Sequence, residues 1–230
     1  MYDTEKKDFL PRSILLGRYF IYTIALFLFF LIVARWSKNH SVHFFRENGC
    51  FEWLQFALLC ASAVMLWIGR RLCPNSRHVL TMTASVAAFA AGRELDKILN
   101  GLIPVIGWKF VVLFPLAAVL YCWRARQESK QELLHFAGSY PFALMWAAFI
   151  VAVPLAQLVG DGTFLQSLLQ DDYNRVYKTI FEEACEGAGY LLLLFACFES
   201  VLFLRKHPPR LALDSDKSQP AAQSSQEGNH

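Results

Sequence analysis

Six glutamates stand inside or at the edges of the apolar segments of this chain, where acidic residues are uncommon, and five of them fall in three groups. Glu52 lies in FEWLQFALL, Glu94 closely follows SVAAFAAG, and Glu182, Glu183 and Glu186 open the stretch that runs into GYLLLLFACF. Arg93, Asp96 and Lys97 flank Glu94, and Trp108 and Lys109 stand a little further along. A charge held in hydrocarbon costs about 2.5–3.5 kcal/mol on the lowest scale, so such groups face a bundle interior, where they pair, bind an ion or do chemistry. Carboxylates gathered at one place have three uses. They coordinate a hard cation such as Mg²⁺ or Ca²⁺, which prefers oxygen ligands. They hold one proton between two, which lifts one of them toward the working range of a general acid. Or they only neutralise the cations around them, here Arg93, Lys97 and Lys109.

The elements that must position these groups are membrane spans. Of 230 residues, 55% are hydrophobic and the mean hydropathy is +0.32, which with several long apolar runs excludes an ordinary soluble domain. The expected fold class is all-α, a polytopic membrane protein of six transmembrane helices at about 14–34, 50–69, 78–99, 104–123, 137–159 and 180–204. Residues 1–13 form an N-terminal segment, 14–204 the helical domain and 205–230 a polar, Ser- and Gln-rich tail expected to be disordered. The first apolar run exceeds a signal-peptide core and ends at Arg35 without a small-residue cleavage site, so it reads as a retained helix. Lys6, Lys7, Arg70, Arg71, Arg124, Arg126, Arg205 and Lys206 bias one side, which places both termini in the cytoplasm of a cell inner membrane. Pro115 and Pro154 fall within spans and should kink them, and residues 160–179 read as an amphipathic segment at the outer surface. A net charge of +3, with the basic residues in loops, argues against a nucleic-acid partner and for membrane lipids.

That topology, drawn from basic residues and hydrophobicity alone, carries the acidic groups to one place. Glu52 enters span two from outside, the RELDK run closes span three near the outside, and FEEACEG opens span six from outside. On a helix Glu182 and Glu186 share a face with Glu183 about 100° away, and Arg93 should share a face with Asp96 and Lys97. Gly187 and Gly189 would let another helix approach just beneath the carboxylates, and Trp53 and Trp108 are placed as interfacial anchors. The candidate acid/base or metal-binding groups are therefore Glu52, Glu94, Glu183 and Glu186. Arg93, Lys97, Trp108 and Lys109 are candidates to hold a substrate's head group, and Asp96 and Glu182 to add oxygens to a divalent cation.

Other residues weigh less. His40 and His43, near Glu47, have metal-compatible spacing but lie in a polar loop where solvated histidines are common. The six cysteines include no C-x-x-C pair; Cys50 and Cys185 would both lie near the outer face and raise the question of a disulfide. Glu199, alone in ACFESVLF, should snorkel inward or pair with Arg205, or else form the lower end of an ion path. No Walker A, G-x-G-x-x-G or G-x-S-x-G sequence is present.

The order of these motifs resembles a loosely defined group of bacterial polytopic inner-membrane proteins. These have an EW motif opening one helix, an acidic motif closing the next and an EE-x-x-E-x-x-G motif opening the last. The matching positions are Glu47, Glu52 and Trp53, then Glu94, then Glu182, Glu183, Glu186 and Gly189, across residues 47–195. The resemblance brings no activity with it. Intramembrane CAAX-processing proteases are excluded, because Gly187 stands where their motif needs arginine and the only later histidines are His207 and His230. The expected function is an outward-facing acidic pocket, either a metal-dependent enzyme or a binding protein for a lipid or lipid-linked substrate. The rivals are a small ion- or proton-coupled transporter and a non-enzymatic subunit of a membrane-protein complex.

Overall fold

The computed structural model describes residues 6–39, 49–102 and 107–209, and no strand occurs among them. The helices are α1 (Lys6–Asn39), α2 (Cys50–Leu72), α3 (Arg77–Glu94), α4 (Asp96–Leu102), α5 (Leu113–Arg124), α6 (Arg126–Ala137), α7 (Tyr140–Ile150), α8 (Ala156–Val159), α9 (Gly162–Leu169) and α10 (Arg175–Lys206). Four stretches are long and apolar enough to cross a membrane: Ser13–Ser37, Cys50–Leu72, Tyr140–Val159 and Arg175–Lys206. Large apolar side chains such as Phe20, Phe27, Val64, Trp123 and Leu134 point outward, as they do where the solvent is lipid.

The bundle is built around α10. Half of its apolar window is buried, against 6% for that of α1, which therefore lies at the periphery. α10 packs on α2, α7 and α1, and α2 packs along α3. α2 and α10 run in the same direction, with Gln55 beside Glu183 and Gly69 beside Val201, while α1, α3 and α7 run against them, so one end gathers Glu52, Glu94 and Glu183 and the other gathers Arg70 and Arg205. The contact of Arg18 with Glu199 brings the start of α1 and the end of α10 to that same basic end.

Two glycines set the spacing on α10, as their sequence positions suggested. A Cβ on Gly189 would stand 2.6 Å from the backbone nitrogen of Ala152, and one on Gly187 would stand 2.8 Å from the Phe29 ring. The segment that presses on Gly189 is a π turn, Val151–Leu155, and it contains Pro154. Proline lacks the N–H that an α-helical ladder needs, so the widened turn is the physical answer to a proline inside a span.

The expected third span is not one continuous helix. α3 ends at Glu94, Leu95 leaves helical geometry (φ −97°, ψ 21°), and Asp96 begins a separate helix, α4. Arg93 therefore lies on α3 and Asp96 and Lys97 on α4, rather than along one helix as expected. Within the expected fourth span a 3₁₀ segment, Gly107–Val112, leads into the twelve residues of α5. Between α9 and α10, Asn174 caps α10 through its Oδ1 at 3.0 Å from the Val176 N–H. Asp161 caps α9 in the same way, and the Thr163 hydroxyl and N–H that donate to it hold its carboxyl below the usual range. The short amphipathic helix expected within 160–179 is α9, whose Leu165 is buried. The tail beyond Pro209 lies outside the described residues.

Candidate functional site

At the acidic end, α2, α3 and α10 each contribute a polar side chain to one cluster. Gln55 is fully buried one turn inside α2, and its Nε2 donates to the Glu183 carboxylate at 2.9 Å and to the Glu183 carbonyl at 3.3 Å. Glu183, Glu186 and Tyr190 follow one another at steps of three and four along α10, so they form one stripe. The Tyr190 hydroxyl donates to Glu94 Oε1 at 2.8 Å, which ties the bottom of that stripe to the last residue of α3. Arg93 Nη2 lies 3.4 Å from Glu94 Oε1 and 4.0 Å from Glu186 Oε1. The Glu94 and Glu186 side chains are 9% and 12% exposed and that of Arg93 is 47% exposed, so the guanidinium covers two sunken carboxylates from the open side.

The field here is negative. Glu94, Glu52 and Glu182 all act on Glu183 through their charges, and Glu94, Glu183 and Glu182 act likewise on Glu186. Arg93 is the one cation among the described side chains that pairs with Glu94 or Glu186. The pairing is also incomplete. Tyr190 and Arg93 both use Oε1 of Glu94, Gln55 uses Oε2 of Glu183, and Arg93 approaches Oε1 of Glu186. Among the described residues, one oxygen of each of the three carboxylates is left over. None of these is among the sealed side-chain atoms that lack a hydrogen bond, which in this cluster are represented by Gln55 Oε1 alone among the described residues. The acidic end thus holds carboxylate oxygens without a partner among the described residues, together with the buried, unsatisfied carbonyl of Gln55.

Directly below lies an apolar cavity of about 200 Å³ between α2, α3, α7 and α10. Leu59, Ala87, Ala152 and Leu193 line it, and Tyr190 closes its upper end with the same side chain that holds Glu94. Glycine at 189 and the π turn at Ala152 border this space, so the proline-induced widening stands where the cavity opens.

Of the residues expected from sequence, Glu94, Glu183, Glu186 and Arg93 come together as described. Glu52 is half-buried at the same end and acts on Glu183 by its charge. Glu182 lies over Gly160 at the end of α8, where a Cβ would be 2.6 Å from its carboxyl carbon. Asp96 is carried onto α4 and makes no ion pair or hydrogen bond among the described residues. Lys109 is exposed on the 3₁₀ segment Gly107–Val112. The side chains of Lys97 and Trp108, and all of His40, His43 and Glu47, lie outside the described residues. Among those described, no three His, Cys, Asp or Glu side chains converge as ligands of one metal ion. All six cysteines are free thiols, so Cys50 and Cys185 do not pair. Phe51 takes the inward position against Ala184 at this level, and the preceding residue is turned about 100° outward.

Two members of the cluster were missed. Gln55 was legible only as a neighbour of Glu52, and Tyr190 only as the residue four beyond Glu186. Glu199 also differs from expectation. It is fully buried and meets Arg18 Nε at 3.0 Å, the Tyr22 hydroxyl at 2.7 Å and the Tyr140 hydroxyl at 3.1 Å, with no part for Arg205. At the basic end, Glu132 of α6 accepts from the backbone N–H groups of His78 (2.8 Å) and Val79 (2.9 Å), capping α3 from another helix. Its other oxygen lies 2.7 Å from His78 Nδ1, and both side chains are buried.

The chain matches no family model, and neither the curated proteins nor the solved structures offer a similar one. Its function is therefore read from the site alone.

Proposed function

We propose that this chain is a multi-pass protein of a bacterial-type inner membrane whose acidic end binds an amphipathic, lipid or lipid-linked ligand. In this reading α3 and α5, with their short flanking helices, complete six spans, and both termini lie in the cytoplasm. The observation that carries it is Tyr190. One side chain holds Glu94 by a hydrogen bond and closes an apolar cavity of about 200 Å³, so a charged site and a greasy one share a wall. A ligand with a cationic head, or an anionic head bridged by a divalent cation, satisfies the spare oxygens of Glu94, Glu183 and Glu186 while its chain enters the cavity. Arg93, half-exposed above them, is positioned to meet an anionic group beside that head. If the ligand is a substrate, Glu183 and Glu186 are the groups to take and return a proton, since Glu94 is committed to Tyr190 and Arg93.

An ion-coupled carrier is the rival. The buried Glu199 at the far end favours it, but the cavity between the two acidic sites offers only Thr83 and Tyr190 as polar wall. A subunit role in a larger membrane complex leaves the carboxylates as structural ion pairs.

The test is native mass spectrometry with elemental analysis of detergent-purified wild type, Glu94→Gln and Glu183→Gln. A lipid or metal retained by the wild type and lost from both variants is the expected result. Equal retention in all three, or none in the wild type, overturns the proposal.

A further inference from the structure

The basic end carries a different kind of pocket. Between the lower halves of α2, α3 and α5 runs an apolar groove of about 550 Å³, walled by Ala63, Val64, Ala84, Ala88, Phe114 and Ala117. Small residues on all three helices keep it open, and its volume falls within the roughly 300–1,000 Å³ that takes a small-molecule ligand. At its mouth stands Arg70. An arginine at the end of a span ordinarily snorkels outward into water. Arg70 instead folds against two rings, with its guanidinium carbon 4.5 Å from the centroid of Trp67 and 5.5 Å from that of Tyr121. Both rings and the guanidinium line the groove.

Arg70 has no carboxylate partner among the described residues. Its neighbours differ: Arg77 meets Glu128 at 3.6 Å, and Arg18 meets Glu199 at 3.0 Å. The ring that supports it is itself held. Tyr121 stacks on His78 at 5.1 Å, and His78 is fixed by the buried Glu132 that caps α3. The chain from Glu132 through His78 and Tyr121 to Arg70 thus orients, at the mouth of a groove, a cation that no carboxylate among the described residues neutralises. Stacking on rings leaves the guanidinium edge free, and that edge is the fork that binds a phosphate bidentately.

We infer that this groove is a binding site for an anionic phospholipid, with its phosphate on Arg70 and an acyl chain along the alanine-lined wall. The site is separate from the acidic end. From Glu52 to Arg70 is eighteen residues of α2, about 27 Å, so the two lie near opposite membrane surfaces. The lipid belongs to the leaflet at the basic end, where acidic headgroups meet basic pockets between helices.

Native mass spectrometry of the full chain in detergent, titrated with phosphatidylglycerol or phosphatidylcholine of the same acyl chains, tests this. Wild type should bind phosphatidylglycerol about tenfold more tightly, because phosphatidylcholine carries beside the same phosphate a choline cation that Arg70 repels. Arg70→Gln should remove that preference, Arg70→Lys should keep part of it, and Arg71→Gln, an exposed neighbour, should leave it unchanged. Ala117→Phe, which narrows the groove, should weaken both lipids together. Equal binding of the two lipids by the wild type overturns the inference without recourse to any variant. So does glycerol phosphate, which lacks a chain, binding as well as the lipid; the site is then for a free anion.

Discussion

Replacing Tyr190 with phenylalanine isolates the contact on which the acidic site turns. The ring stays in the cavity wall, and only the hydroxyl that donates to Glu94 at 2.8 Å is lost. A hydrogen bond to a charged acceptor contributes about 1.5–3 kcal/mol. Glu94 is 9% exposed, so water replaces the donor poorly, but Arg93 remains 3.4 Å away and compensates in part. The lower part of the range applies, about 1.5–2 kcal/mol. For a chain of this size that lowers the melting temperature by about 3–8 °C. The assay is thermal unfolding in detergent, followed by circular dichroism, beside Glu94→Gln. The amide carbonyl introduced by Glu94→Gln can still accept from Tyr190, so that variant should melt closer to wild type yet lose the bound lipid or metal. Tyr190→Phe should show the converse, a lower melting point with the ligand retained at reduced occupancy. Wild-type melting for Tyr190→Phe would refute the argument that this hydroxyl holds Glu94 in place. Loss of more stability from Glu94→Gln than from Tyr190→Phe would mean that the charge of Glu94 is structural.

Three further outcomes follow from the packing and the buried groups. Gly189→Ala places a methyl 2.6 Å from the Ala152 nitrogen, so backbone must move, at about 1–3 kcal/mol; Gly17→Ala meets nothing within 4 Å and should melt at or above wild type. Tyr22→Phe removes a 2.7 Å bond to the buried Glu199 while keeping the stack on Phe195 at 4.3 Å. It should cost about 1.5–3 kcal/mol, more than Tyr140→Phe, and equal melting points would remove Glu199 as a tie between α1, α7 and α10. A maleimide probe should label Cys50 and spare Cys73 and Cys197 in the native protein, and reduction should not change electrophoretic mobility.

Much of the architecture was legible because membrane helices are written in long, simple signals. Ser13–Ser37, Cys50–Leu72, Tyr140–Val159 and Arg175–Lys206 announce themselves by length and apolarity. The direction of each helix then follows from alternation, which is why Glu52, Glu94 and the Glu183–Glu186 turn could be sent to one end beforehand. Gly187 and Gly189 were readable as close approaches because a missing side chain has that one use at a helix interface. The break after Glu94 was not readable. It depends on how Leu95 leaves helical geometry between two segments that each favour helix, and local propensity carries no such information.

What the residues by themselves determined is which groups are too costly to leave in lipid, and therefore which faces turn inward. What the tertiary structure alone decided is who meets whom. Gln55 reaches Glu183 across 128 residues, Tyr190 reaches Glu94 across 96, and Glu132 finds the start of α3 across 54. Each is a hydrogen bond set by the rotation and depth of one helix against another. Hydrophobicity fixes depth only to within a turn or so, and a shift of one residue rotates a side chain by about 100°.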